Sequence, residues 1–282
     1  MSLHRRSGTR QCPLCVSRKR DRPPNKRGGS VIEVAFVLCL LQATPGDSDL
    51  PTFEAASVRL VDVSKPQHLS AKVYPGGRMR ITSKRLTEIA AAAWMLPDYR
   101  VEGPKGINHY AYTIEALPPE DDSLTEARVS VFHTSFPQIS LLRLRALLLE
   151  RFQLRYHFET RDVTRYDLVV GKGGPKMRKT TLSDERLSCY DTRIDSEGRM
   201  MAELARDLAD FYLNTEVVDR TDLTEPYAYS FSFQPVETTP EANTEALPSL
   251  RDGIKDIGLA LVPRRSKARF LVIDHFEQPA SN

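Results

Sequence analysis

The sequence predicts an α+β fold in which repeated helix-strand-strand units form antiparallel sheet covered by helices on one face, and three observations carry that reading. A phrase made of an amphipathic helix, a short strand, a polar turn and a second strand opening on an aromatic occurs four times in the 282 residues. The intervals from the last large apolar residue of each helix to that aromatic are regular: Trp94 to Tyr110, Phe152 to Tyr166, Phe211 to Tyr227 and Ile257 to Phe270 span 16, 14, 16 and 13 residues. Apolar residues make up 40% of the chain, enough for a packed core. Hairpins that follow helices build antiparallel sheet with one covered face.

Residues 1–49 read as a basic leader with a signal-like apolar segment and a linker, and residues 50–282 as the α+β domain of about four units. Nine Lys/Arg against one acid give the first 30 residues a net charge of +8, whereas 31 basic and 36 acidic side chains leave the remaining 252 at −5. The mildly acidic domain argues against a nucleic-acid partner, which needs clustered cations on the folded surface. A positive stretch from Arg5 to Arg27, the apolar run Val34–Leu41 and small residues before Pro45-Gly46 make a secretory signal, too short to span a bilayer comfortably. The expected location is therefore periplasmic or extracellular, with membrane contact only through this segment if it stays uncleaved. Glu33 and the long basic stretch depart from the usual signal pattern, and a basic arm followed by an ordinary buried element is the competing reading. Cys12-Pro-Leu-Cys15 has the spacing of half a zinc site, but no further ligands accompany it and the pair reads as incidental.

Phe53–Leu60 has the character of an opening strand, and Lys72–Ile81 that of a hairpin turning on Pro75-Gly76, which suits a type II turn. The first unit places Leu86, Ile89, Ala90, Ala93 and Trp94 at helical spacing, with Ser83 as N-cap and Leu96-Pro97 as the stop, then strands at Arg100–Glu102 and Tyr110–Ile114. In the second, Leu141, Leu144, Leu148 and Phe152 precede strands at Leu154–Phe158 and Tyr166–Val170. The third has Met201, Leu204, Leu208 and Phe211, then Glu216–Val218 and Tyr227–Phe233. The fourth has Leu250, Ile254 and Ile257, Gly258 at the helix end, then Leu259–Leu261 and Phe270–Ile273. Pro118–Asp122, Lys172–Gly198 and Pro235–Pro248 read as loops.

Candidate chemistry is sparse. Asp219, Arg220 and Asp222 follow a helix and a strand and form a candidate small ligand-binding turn for an anion or carbohydrate; the competing reading has Asp219 accepting backbone N–H groups across a tight turn. Asp274-His275-Phe276-Glu277 invites acid–base chemistry, but alternate side chains on a strand face opposite ways, so a partner from elsewhere is required. His109, His133 and His157 lack a second ligand at metal spacing, and His157 to Glu159 reads as a pair on one strand face. Gly171–Lys176 lacks the ending of a phosphate loop and reads as a turn. Trp94 and the tyrosines at 110, 112, 166, 227 and 229 fit a groove or a core, the core being favoured. No cofactor, metal or catalytic motif is expected.

Several phrases together carry a resemblance: Phe53-Glu-Ala-Ala-Ser-Val58, Tyr99-Arg-Val-Glu-Gly103-Pro104, Leu147-Leu-Leu-Glu-Arg151-Phe152, His157-Phe-Glu-Thr-Arg161, Tyr166-Asp-Leu-Val, Gly173-Gly-Pro-Lys-Met177, Val218-Asp-Arg-Thr-Asp-Leu223, Leu271-Val-Ile-Asp274 and Glu277-Gln-Pro279. Over residues 53–282 the chain resembles a paralogous family of exported proteins of unknown function from Solibacter-type Acidobacteria. Related domains stand at the C-terminal end of some membrane metallopeptidases like the β-lactam-sensing antirepressor proteases. The chain departs from that pattern at Asp222 and Glu225, both glycine-preferring positions. The resemblance implies an extracytoplasmic domain and carries no catalytic residues. Its leading reading is a non-enzymatic envelope domain that binds or senses a ligand or an envelope protein. The alternatives are an envelope hydrolase using acids among Asp219, Asp274 and Glu277, and a structural or assembly protein.

Overall fold

The computed structural model describes residues 47–61, 69–120, 128–131, 134–181, 187–190, 192–234 and 248–279. Residues 1–46 of the expected leader and residues 235–247 of the expected Pro235–Pro248 loop lie outside the described residues. No helix among the described residues is long and apolar enough to cross a membrane.

The first strand, β1 (Ala55–Val61), is followed by the hairpin β2 (Ser70–Val73) and β3 (Met79–Arg85). Its turn is the one the sequence predicts: Gly77 N–H donates to the Tyr74 carbonyl at 3.0 Å, and Gly76 takes φ 81°. Val73 pairs with Met79 and Ala71 with Ile81, which directs Met79 and Ile81 into the interior. Helix α1 (Leu86–Ala93) begins after a bulge between Ile81 and Lys84. Ser83 is therefore not the N-cap; it lies in the bulge at φ 58°, and the carboxylate of Glu88 accepts the Arg85 N–H at 2.8 Å instead. A glutamate at the third helical position reaches back over the first turn, so no serine is needed there.

After α1 come β4 (Val101–Glu102), β5 (Ala111–Leu117), a small hairpin β6 (Arg128–Val131) and β7 (Thr134–Pro137), and α2 (Gln138–Arg151). Strand β8 then runs unbroken from Arg155 to Val170, 16 residues, and β14, from Leu259 to His275, is 17 residues long. The sequence predicts two short strands in each place. The polar stretches between them, Thr160–Arg165 and Arg264–Arg269, hold no glycine or asparagine to reverse the chain, and each finds its partner in the other. Cross-strand pairing over that length keeps both extended.

Between these strands lie β9 (Arg178–Lys179), β10 (Leu187–Tyr190), β11 (Arg193–Arg199), α3 (Met201–Asp207) continued by a π-helical turn at Leu208–Leu213, β12 (Val217–Asp219), β13 (Tyr227–Ser232) and α4 (Leu250–Gly253) continued by a 3-10 turn at Ile254–Ile257. The expected loop over Lys172–Gly198 thus contains strands. The inward face of β11 is Ile194, Ser196 and Gly198, two of them small and not apolar, so its alternation is invisible to a hydrophobicity reading.

The fold is a mixed α/β arrangement with several antiparallel sheets and four helices among the described residues. Strands dominate, and the helices, with 8, 14, 7 and 4 residues, are too short to cover a sheet face as expected. One sheet has the order β1-β5-β3-β2, a second β9-β13-β11-β10, and the third β12-β8-β14-β4. Every helix-exit strand, β4, β8, β12 and β14, belongs to the third sheet, with β12 and β4 joining β8 and β14 in parallel. Two apolar cores result. One gathers Ile81, Leu86, Tyr112, Leu144 and Phe152 with Leu271 and Ile273 of β14; the other gathers Leu204, Tyr227, Phe231 and Leu259 with Leu168 of β8.

Candidate functional site

Alternation along the β8–β14 ribbon sorts its side chains onto two faces. The pairing Val272 to His157, Phe270 to Glu159 and Ala268 to Arg161 puts those residues together on one face. There the imidazole of His157 stands between two carboxylates, with Nδ1 3.0 Å from Asp274 and Nε2 3.1 Å from Glu159. Arg161 continues the chain of charges, its Nε donating to Glu159 and its Nη1 to Glu102 of β4, both at 2.7 Å. Phe270 lies beneath the Arg161 guanidinium, 4.7 Å from ring centroid to charge.

The hydrogen bond to Asp274, followed by that to Glu159, raises the His157 pKa above its ordinary value. The same contact from His157, with a further one from Arg161, lowers that of Glu159. The charged imidazolium is thus favoured relative to a free histidine. Both ring nitrogens are directed at carboxylates, so the ring has no nitrogen left for a substrate proton or a metal. Among the described residues no cluster of His, Cys, Asp or Glu has the arrangement of a metal site.

Asp274 therefore does find a partner from another strand, and it is His157, which the sequence had joined only to Glu159. Alternation made the His157 and Glu159 pair legible; Asp274 is 117 residues away and could be assigned only from the register of β8 against β14. Glu277 goes elsewhere. Its carboxylate meets His275 Nε2 at 3.3 Å beside a shallow cleft of about 410 Å³ lined by Leu149, Gln153, Leu154 and Arg155, and its N–H donates to the Phe152 carbonyl.

Asp219 ends β12 opposite Leu168, eleven residues along β8 from His157, about 35 Å at the rise of a strand. Its Oδ1 accepts from the Thr221 N–H at 2.9 Å and the Thr221 hydroxyl at 2.8 Å, closing a turn on itself. Arg220 donates its backbone N–H to Leu168 and projects its side chain into solvent. Asp222 is exposed and takes φ 58°, the conformation for which glycine is the unstrained choice. The three residues form a turn in which Asp219 holds the backbone.

Trp94, Tyr112, Tyr227 and Tyr229 are buried in the cores, whereas Tyr110 is exposed and Tyr166 lies under Arg251. The Gly171–Lys176 segment is a turn that docks on the end of the second core, with the Lys176 N–H bonded to Ile257.

Fold and site together define a strand-rich α/β protein organised around a long antiparallel ribbon with charged, solvent-facing surfaces. The chain belongs to the DUF3738 family of proteins of unknown function, whose profile matches residues 87–276, from α1 to the end of the ribbon. No curated protein and no solved structure matches it.

Proposed function

We propose that the protein is a binding domain of the cell envelope and not an enzyme, with the exposed ribbon as its working surface. The observation that carries this reading is the dispersal of the three candidate acids. Asp219 closes a turn, Asp274 is held by His157 on an open sheet face, and Glu277 sits at a separate cleft. Hydrolysis needs two such groups converging on one concave site from which water can be excluded, and this arrangement offers none. The signal-like leader and the resemblance to exported proteins and to the C-terminal domains of envelope metallopeptidases support the location.

The repeat is best read as a duplication of a larger unit. The order β1-β5-β3-β2 recurs as β9-β13-β11-β10, α1 and α3 both follow a bulge, and Glu88 and Glu203 both accept the N–H at the helix start. On this reading each unit contains two of the four helix-strand phrases and contributes one long strand to the ribbon.

A thermal-shift screen of the chain against cell-wall fragments, sugars and peptides tests the function. A ligand that binds only the native state raises the melting temperature, by an amount that grows with its concentration over Kd. Hydrolysis of an ester, glycoside or peptide substrate that is abolished by Asp274→Asn would overturn the reading.

A further inference from the structure

Strand β4 covers β14 only at Leu271 and Val272, and β12 covers β8 only from Tyr166 to Leu168. Among the described residues, β14 from Pro263 to Phe270 pairs with β8 alone, and no strand lies on its other edge. The direction of its backbone groups follows from its neighbours. The Tyr166 N–H donates away from β14, to Glu216 at 2.9 Å, so its antiparallel partner Pro263 also faces away from β8. The register is uninterrupted from Leu259 to Ile273, which turns the N–H and C=O groups of Arg265, Lys267 and Arg269 onto the open edge.

The same three residues project their side chains from one pleat face, about 6.6 Å apart in succession, and all three are exposed. Across from them stand Thr164, Asp162 and Thr160. Among the described residues none of the three cations forms an ion pair, whereas the other arginines in the middle of the ribbon are paired, Arg161 with Glu159 and Glu102, and Arg165 and Arg264 sharing Asp167. The Arg269 guanidinium lies 3.5 Å from the centroid of the Phe158 ring, which fixes its position without consuming its charge.

We propose that this stretch of β14 binds an extended acidic peptide by strand addition, with carboxylates at alternate positions meeting Arg265, Lys267 and Arg269. This deepens the reading of the chain as a binding domain and rests on it. An added strand repeats every two residues at the spacing of the three cations, so backbone bonds supply affinity and charge supplies selectivity. Arginine at two of the three positions suits carboxylates geometrically. Cations along an exposed edge also repel a second copy of the same edge, which protects the chain from pairing with itself while leaving the edge open to an acidic segment. Pro263 has no N–H to offer and β4 occupies Leu271, which limits the site to about the length from Arg265 to Arg269.

Fluorescence anisotropy on the full chain with a labelled heptapeptide alternating threonine and glutamate tests this. Saturable binding is expected, weakened at least tenfold by Lys267→Glu, by N-methylation of the peptide amides that face the edge, and by high salt. The doubly reversed variant Arg265→Glu/Lys267→Glu should instead bind an alternating threonine–lysine peptide, a gain that loss of folding cannot produce. Equal binding of a peptide with its glutamates in one block, or indifference to N-methylation, would overturn strand addition. Binding of phosphatidylglycerol vesicles or dextran sulfate without binding of the peptide would overturn the inference and leave the binding-domain reading standing. Turnover of a substrate would remove that reading as well.

Discussion

Asp207 ends α3 with its side chain only 2% exposed and its carboxylate 2.6 Å from an Arg199 nitrogen. Burial outweighs that partner and pushes its pKa up to about 7. An acid that holds its proton longer when folded than when unfolded lowers stability as pH rises between the two values, here from about 4 to about 7. Urea unfolding at pH 5 and pH 8 should therefore show a loss on the order of 2–4 kcal/mol that is absent from Asp207→Asn. The readout is the difference in pH dependence, because removing one partner of a buried pair also changes absolute stability; equal pH dependence in the two proteins would reject this account. The sequence places Asp207 beside Leu208 on the apolar side of its helix, but gives no sign that Arg199, eight positions earlier on β11, folds back onto it. His157 shows the same divide, its in-strand neighbour readable from alternation and its cross-strand partner not.

Helix ends and strand lengths belong to the scale of the element. Gly258 was readable as a helix C-terminus, and it does take φ 79°. A second constraint is tertiary: a Cβ at this position would stand 2.1 Å from the Gly174 carbonyl oxygen, in the turn that follows β8. Gly258→Ala combines left-handed strain with a backbone clash and should cost at least about 2 kcal/mol by denaturant midpoint. A loss under 1 kcal/mol would mean that the turn yields. The continuity of β8 and β14 was not legible for a related reason. A polar stretch between two apolar ones has the same composition whether it turns or pairs with a distant strand, and only the pairing of residues 160–165 with 264–269 decides it.

At the scale of the molecule, the two halves exchange strands. The first core needs Leu271 and Ile273 from β14, and the second needs Leu168 from β8. Neither residues 47–170 nor residues 178–279 can then bury a complete core alone, and each would expose a long unpaired strand. Expressed separately, each half should lack a cooperative thermal transition by circular dichroism, and the two together should regain one. A cooperative transition in either half alone would show that the exchange is dispensable.

Local chemistry set what the sequence determined by itself: the four amphipathic helices, the Pro75-Gly76 hairpin, the Gly258 helix end and the burial of Trp94, Tyr112, Tyr227 and Tyr229, because each depends on residues close together in the chain or on an apolar pattern along it. The tertiary structure alone decided which strands pair. That choice fuses β8 and β14 into one ribbon, joins Asp274 to His157, separates Asp219 and Glu277 from them, and among the described residues leaves the edge of Arg265, Lys267 and Arg269 without a neighbouring strand. Register depends on contacts 89 to 120 residues apart, and a one-residue shift would turn the ribbon's side chains to the opposite face.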